Sequence, residues 1–118
     1  VNVAAVTEAA RALLAKGVGR QVVVHFESGA VVADRDGTVT TQASLNLPPN
    51  FIAGATGAGD AFAAGYLHGI HEGWRTDESL RLAVCTAAAC LRHPAPSLGL
   101  MPVAECLHLA EAHGFRAN

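Results

Sequence analysis

The sequence predicts an α/β fold. An amphipathic helical pattern at the start gives way to short β-branched runs, two of those runs flank an Asp-Gly turn, and the second half of the chain keeps a helical period. Val3, Val6, Ala10, Leu13 and Leu14 fall on one face of the first helix, and Gly17 is placed to end it. Gln21-Val22-Val23-Val24-His25-Phe26 then reads as a buried strand. Ala30-Val31-Val32-Ala33-Asp34 and Thr38-Val39-Thr40-Thr41, either side of Asp36-Gly37, read as a hairpin. Residues 44–52, with Pro48-Pro49-Asn50, read as a connection.

Beyond that connection the pattern is helical. Residues 58–72 place Ala61, Gly65 and Gly69 four apart on one face, a stripe that lets another element lie very close. Thr76 reads as the cap of the next helix, with Asp77 and Glu78 in its first turn and Leu80, Ala83, Val84, Ala87, Ala88 and Leu91 on its apolar face. Pro94 stops that helix. Pro102 opens a last one through Val103, Cys106, Leu107 and Ala110, which Gly114 closes.

Composition narrows the function classes. Over 118 residues, 51% hydrophobic content with 15% charge predicts one small, well-buried domain and excludes disorder. No apolar run reaches the length of a membrane span, and the start lacks a basic region before an apolar one, so no membrane partner and a cytoplasmic location are expected. A net charge of −2 without a Lys/Arg cluster gives no footprint for nucleic acid. Cys85, Cys90 and Cys106 form no C-x-x-C pair and read as buried thiols.

The chemistry concentrates in Gly54-Ala55-Thr56-Gly57-Ala58-Gly59-Asp60-Ala61-Phe62. Small residues at a helix start leave unpaired amides, at the positive end of the helix dipole, open to a phosphate. A carboxylate in the same turn repels that phosphate unless it faces another atom. The useful one is a hydroxyl that loses its proton as it attacks. Gly54 and Gly59 have P-loop spacing, but Asp60 and Ala61 stand where a P-loop needs Lys and then Ser or Thr. Gly54, Gly57 and Gly59 also run G-x-x-G-x-G and not the dinucleotide G-x-G-x-x-G.

Gly57-Ala58-Gly59-Asp60, followed by the small-residue helix Ala61-Phe62-Ala63-Ala64-Gly65, resembles the second signature of the ribokinase-like (PfkB) carbohydrate kinases. The resemblance implies the C-terminal part of a three-layer α/β/α fold over residues 1–118, without the N-terminal sugar-binding half and its lid. It implies ATP-dependent phosphorylation of a sugar or sugar-like hydroxyl with Mg²⁺. Gly57, Ala58 and Gly59 would form the anion hole and Asp60 the general base. Gly29, from a T-x-G-x-x-G stretch only partly kept, and Ala87 and Cys90, from the segment bordering adenine, are the implied nucleotide contacts. The partners implied are ATP and a small carbohydrate. The signature usually opens on Asp-Thr where this chain has Gly54-Ala55, so the resemblance does not extend to a monovalent-cation site. The family's N-x-x-E motif is not kept, since Asn2 is followed at that distance by Ala5. The alternative reading is a non-catalytic nucleotide- or anion-binding remnant, or a truncated product, of such a kinase.

Other polar residues carry structural expectations. His68, His71 and Glu72 lie within one helical turn but lack a third ligand at H-E-x-x-H spacing, so no metal set is assigned. His25 is expected as a strand residue with a local hydrogen bond, Trp74 as a seal on the core, and Asp34 and Asp36 as solvated turn carboxylates.

Overall fold

The computed structural model describes residues 2–17, 20–48, 57–91 and 103–116. Its elements are α1 (Val3–Ala15), β1 (Gln21–Phe26), β2 (Gly29–Asp34), β3 (Val39–Ala43), α2 (Ala58–His71), α3 (Thr76–Cys90) and α4 (Val103–His113). Asn2 caps α1, its side-chain oxygen accepting from the Ala5 N–H at 3.2 Å. The Asn2/Ala5 spacing is therefore a helix cap. Gly17, at φ 95°, ends the helix as expected. Ala10 and Leu14 are buried, but Leu13 is 46% exposed. α1 covers the sheet with a stripe narrower than its apolar content, and Leu13 falls outside it.

The three strands form an antiparallel sheet in the order β1-β2-β3. Val22 pairs with Ala33 and Val23 with Val32, so facing residues share a side of the sheet. On one side Val22, Ala33, Val24 and Val39 pack with Ala10 and Leu14 of α1. On the other, Val23, Ala30 and Val32 join Phe62, Tyr66, Leu80 and Ala83 in the larger core. The result is three layers, with α1 on one side and α2, α3 and α4 on the other. β1 is an edge among the described strands, and only its Val22 is buried.

The β2–β3 hairpin closes at Asp36-Gly37 as expected. The Asp34 N–H donates to the Thr38 carbonyl at 2.8 Å, Gly37 takes φ 98°, and the Asp36 carboxylate accepts from the Thr38 N–H at 2.9 Å. A second hairpin, β1–β2, turns through Glu27 and Ser28; it was not among the expected elements, although Ser28-Gly29 is a turn signal. Residues 44–46 are more than a connection. Leu45 bridges Phe115, and the Arg116 N–H donates to the Ser44 carbonyl at 2.7 Å, tying the end of the chain beside the sheet.

The small-residue stripe works as its spacing predicts. A Cβ on Gly65 would collide with the Thr86 hydroxyl, and one on Gly69 with Ser79, so α3 sits against the α2 backbone. Thr86 Oγ1 donates to the Ala61 carbonyl at 2.7 Å across that contact. Thr76 is not the cap of α3 but its first helical residue. The Arg75 N–H, one position earlier, donates to the Glu78 carboxylate at 3.1 Å. Leu82, Cys85 and Ala89 are buried besides the expected face, because α3 lies between α2 and α4. Gly114, at φ 69°, closes α4; Pro94 and Pro102 lie outside the described residues.

Candidate functional site

α2 opens on Gly57, whose φ of 84° and ψ of 0° are left-handed and suit glycine alone. The Ala61 N–H makes the first helical bond, to the Gly57 carbonyl at 2.9 Å. The amides of Gly57, Ala58, Gly59 and Asp60 thus precede the helical ladder, and among the described residues no side-chain oxygen caps them. Gly59 and Asp60 are exposed, and a Cβ on Gly59 would meet open space. Backbone donors, the positive end of a 14-residue helix and an exposed carboxylate therefore share one turn. Gly54, Ala55 and Thr56 lie outside the described residues.

Beside this turn is a cleft of about 510 Å³ between the end of β1, residues 44–47, the start of α2 and the end of α3. Ala58, Val84, Ala87, Ala88 and Leu91 give it a wall of small and aliphatic side chains, while His25, Glu27 and Arg116 supply polar groups. The fold thus brings Ala58 and Ala87, 29 positions apart in sequence, to one cavity. Cys90 is 1% exposed and does not line it. Gly29 lies on the α1 side of the hairpin, in a separate cleft of about 130 Å³ with Val3 and Phe26. A Cβ there would come 2.5 Å from the Gln42 carbonyl oxygen, so glycine is required by the approach of β3.

His25 departs from its expected local hydrogen bond. Its ring stacks face to face on Phe62, with centroids 4.1 Å apart and planes at 7°, and burial holds its pKa below the ordinary value. No side-chain spacing signals a contact between residues 37 positions apart, and sequence reasoning had no means to find it. Glu27 and Arg116 face each other across the cleft mouth at 4.0 Å.

The remaining candidates are structural. His68 meets Trp74 edge-on at 5.7 Å, and Trp74 packs against the larger core, as expected. Among the described residues no three His, Cys, Asp or Glu side chains gather as a metal set. Cys85, Cys90 and Cys106 are buried and in no disulfide; burial pushes the Cys85 thiol up to about 11. Asp34 is engaged rather than merely solvated. It accepts from Gln21 Nε2 at 2.7 Å, while Gln21 Oε1 accepts from the Tyr66 hydroxyl at 2.6 Å, which ties the sheet to α2. No helix among the described residues is long and apolar enough to cross a membrane.

Comparison with known proteins agrees with this architecture. Residues 1–103 match the family model described as pfkB family carbohydrate kinase. The chain is 39% identical over 94 residues to a 1-phosphofructokinase of Rhodobacter capsulatus, covering 79% of this chain and 28% of that one. It is 31% identical over 81 residues to the adenosine kinase of Schizosaccharomyces pombe, covering 69% and 24%. The ribokinase of Arabidopsis thaliana, solved with ribose and ATP, superposes with a TM-score of 0.75 at 25% identity, over 86% of this chain and 32% of that one. The chain therefore spans about a quarter to a third of the length of these relatives.

Proposed function

Because the chain belongs to the pfkB carbohydrate kinase family, whose model spans residues 1–103, we propose that it carries the phosphoryl-transfer end of an ATP-dependent kinase acting on a sugar or nucleoside hydroxyl. The observation that carries this reading is the start of α2: a left-handed glycine, uncapped amides and an exposed carboxylate within one turn, beside an apolar cleft.

In this reading the Gly57, Ala58 and Gly59 amides receive the charge that grows on the transferring group, and they are already oriented before the reaction begins. Asp60 accepts the proton of the acceptor hydroxyl as that oxygen attacks. The repulsion between carboxylate and phosphate is tolerable because the proton, not the phosphorus, is what Asp60 faces. The small side chains at Ala87 and Ala88 suit a flat purine ring, and the cleft is large enough to hold one. Cys90 backs that wall from the interior, and Gly29 holds the hairpin at its far side in shape. ATP supplies the phosphoryl group. Mg²⁺ would accompany the phosphates of that nucleotide.

The test is acceptor-dependent ADP formation over a panel of sugars and nucleosides in a full-length enzyme that contains this segment and a sugar-binding half, with Asp60→Asn as the comparison. Asparagine keeps the volume and loses only the charge, worth about 0.3–1 kcal/mol at a helix start, so a purely structural Asp60 predicts nearly unchanged turnover. A base predicts that kcat falls by roughly 10²–10⁴ with nucleotide affinity and Tm near wild type. A variant retaining most of its kcat would sink the assignment. Nucleotide binding with no acceptor-dependent turnover, in protein that carries a sugar-binding half as well, would favour the non-catalytic alternative.

A further inference from the structure

His25 is the one titratable ring in the wall of the cleft, and among the described residues nothing hydrogen-bonds to it. Its plane is fixed by the stack on Phe62, which is itself 4% exposed. Phe62 lies four residues after Ala58 and so on the same face of α2, about 6 Å along the axis. The imidazole thus sits about one helical turn from Ala58, with which it lines the same cavity.

We propose that His25 is a second anion-binding group of this cleft, meeting a ligand phosphate as the imidazolium and so tying ligand affinity to proton uptake. The inference rests on the reading of the cleft as a nucleotide site and adds to it a role for a residue on β1.

The electrostatic surroundings support it. The charged side chains that line the cleft with His25 are Glu27 from the β1–β2 turn and Arg116 after α4; Asp60, in the first turn of α2, is not in that lining, and the α3 residues in the cleft wall are uncharged. Glu27 and Arg116 are directed at each other, and burial is the sole cause of the lowered proton affinity of His25. No protein carboxylate therefore holds a proton on the ring. A phosphate beside it would be the first anion to do so, and in a partly desolvated cleft that attraction is stronger than in water. A neutral His25 would gain a proton as the phosphate binds, and its N–H would become a charge-assisted donor.

The experiment is an NMR pH titration of the histidine ring signals of the whole 118-residue chain, alone and with saturating ADP, inorganic phosphate or adenosine. His25→Gln assigns His25 among the six histidines. We expect the His25 pKa to rise by roughly one unit or more with ADP and with phosphate and to stay put with adenosine. ADP affinity should then tighten between pH 8 and pH 6 by roughly tenfold beyond any change seen in His25→Gln, which removes the contribution of the ligand's own ionisation. ADP-induced shifts at the Gly57–Asp60 amides with an unmoved His25 pKa would overturn this inference alone. A pKa that adenosine moves as much as ADP does would overturn it too, by assigning the ring to the base. Absence of any ADP-induced shift at those amides would overturn the nucleotide site and this inference together. The wild-type titration decides the matter even if His25→Gln fails to fold.

Discussion

Ser79 is fully buried, and its hydroxyl has no hydrogen-bond partner among the described residues. A buried hydroxyl left unpaired costs about 1–3 kcal/mol. Ser79→Ala removes the group, leaves room beside Gly69 and improves helix propensity, so it is expected to raise stability by about 1 kcal/mol, read as a higher Tm. A lower Tm would mean that the hydroxyl has a partner after all. Gly57 is the opposite case, where substitution meets strain instead of relieving it. At φ 84° any L side chain is strained, and Gly57→Ala is expected to cost about 1–2 kcal/mol and to weaken phosphate binding by tilting the uncapped amides. Equal Tm and equal phosphate affinity in that variant would show that the turn tolerates another conformation. Both residues were visible in the sequence, but only Gly57 sat in a motif that named its role.

At the scale of elements, α2 against α3 is the contact that positions the site, because it sets where Ala58 lies relative to Ala87. Gly65→Ala would push its new methyl into Thr86, whose hydroxyl bonds the Ala61 carbonyl, and into the Ala83 backbone at 3.0 Å. Overpacking of this kind typically costs about 1–3 kcal/mol, and chemical denaturation should show the loss. Adding Thr86→Ala clears the hydroxyl but not the Ala83 backbone, so the double variant should recover only part of it. Strict additivity would argue against a shared contact. The stripe Ala61, Gly65, Gly69 announced this packing in the sequence because small residues at a four-residue spacing have one physical use on a helix. The β1–β2 hairpin carries only the weaker signal of Ser28-Gly29, and Gly29, expected as a nucleotide contact, is also demanded by the carbonyl of Gln42.

For the whole molecule, the displaced pKa values of His25 and Cys85, whose main cause is burial, bias stability at the two ends of the pH range. His25 has a folded pKa below 6.5, so the unfolded chain binds its proton first as pH falls. Stability is complete above about 6.5 and declines as the pH passes down toward the folded value, and His25→Phe should flatten that acid limb. Cys85 acts in reverse. Its thiol is raised from 9.0 to about 11 in the folded state, so its contribution is complete below 9.0 and is lost as the pH rises toward about 11. Cys85→Ala should weaken the alkaline dependence even if the cavity it leaves lowers stability at neutral pH. Unchanged slopes on both limbs would show that neither group controls folding. The molecule also exposes Leu67 at 63% and Ile70 at 42% on the outer side of α2. We expect the chain to bind a hydrophobic dye and Leu67→Lys to reduce that binding; a chain that binds none would count against an accessible apolar face.

The sequence by itself determined the helices, the Asp36-Gly37 hairpin, the close approach of α2 to α3 and the turn at Gly57-Ala58-Gly59-Asp60, because each is fixed by local chemistry: periodicity, turn preference, side-chain size and helix-end amides. It also identified the family, through a short motif whose spacing excludes the other glycine loops. The tertiary structure alone decided what lies beside that turn. The meeting of Ala58 with Ala87, the stacking of His25 on Phe62 and the pairing of residues 44–46 with residues 114–116 all join positions far apart in sequence. Such contacts follow from how layers dock over a shared core, and neither the pattern of one segment nor its composition contains that information.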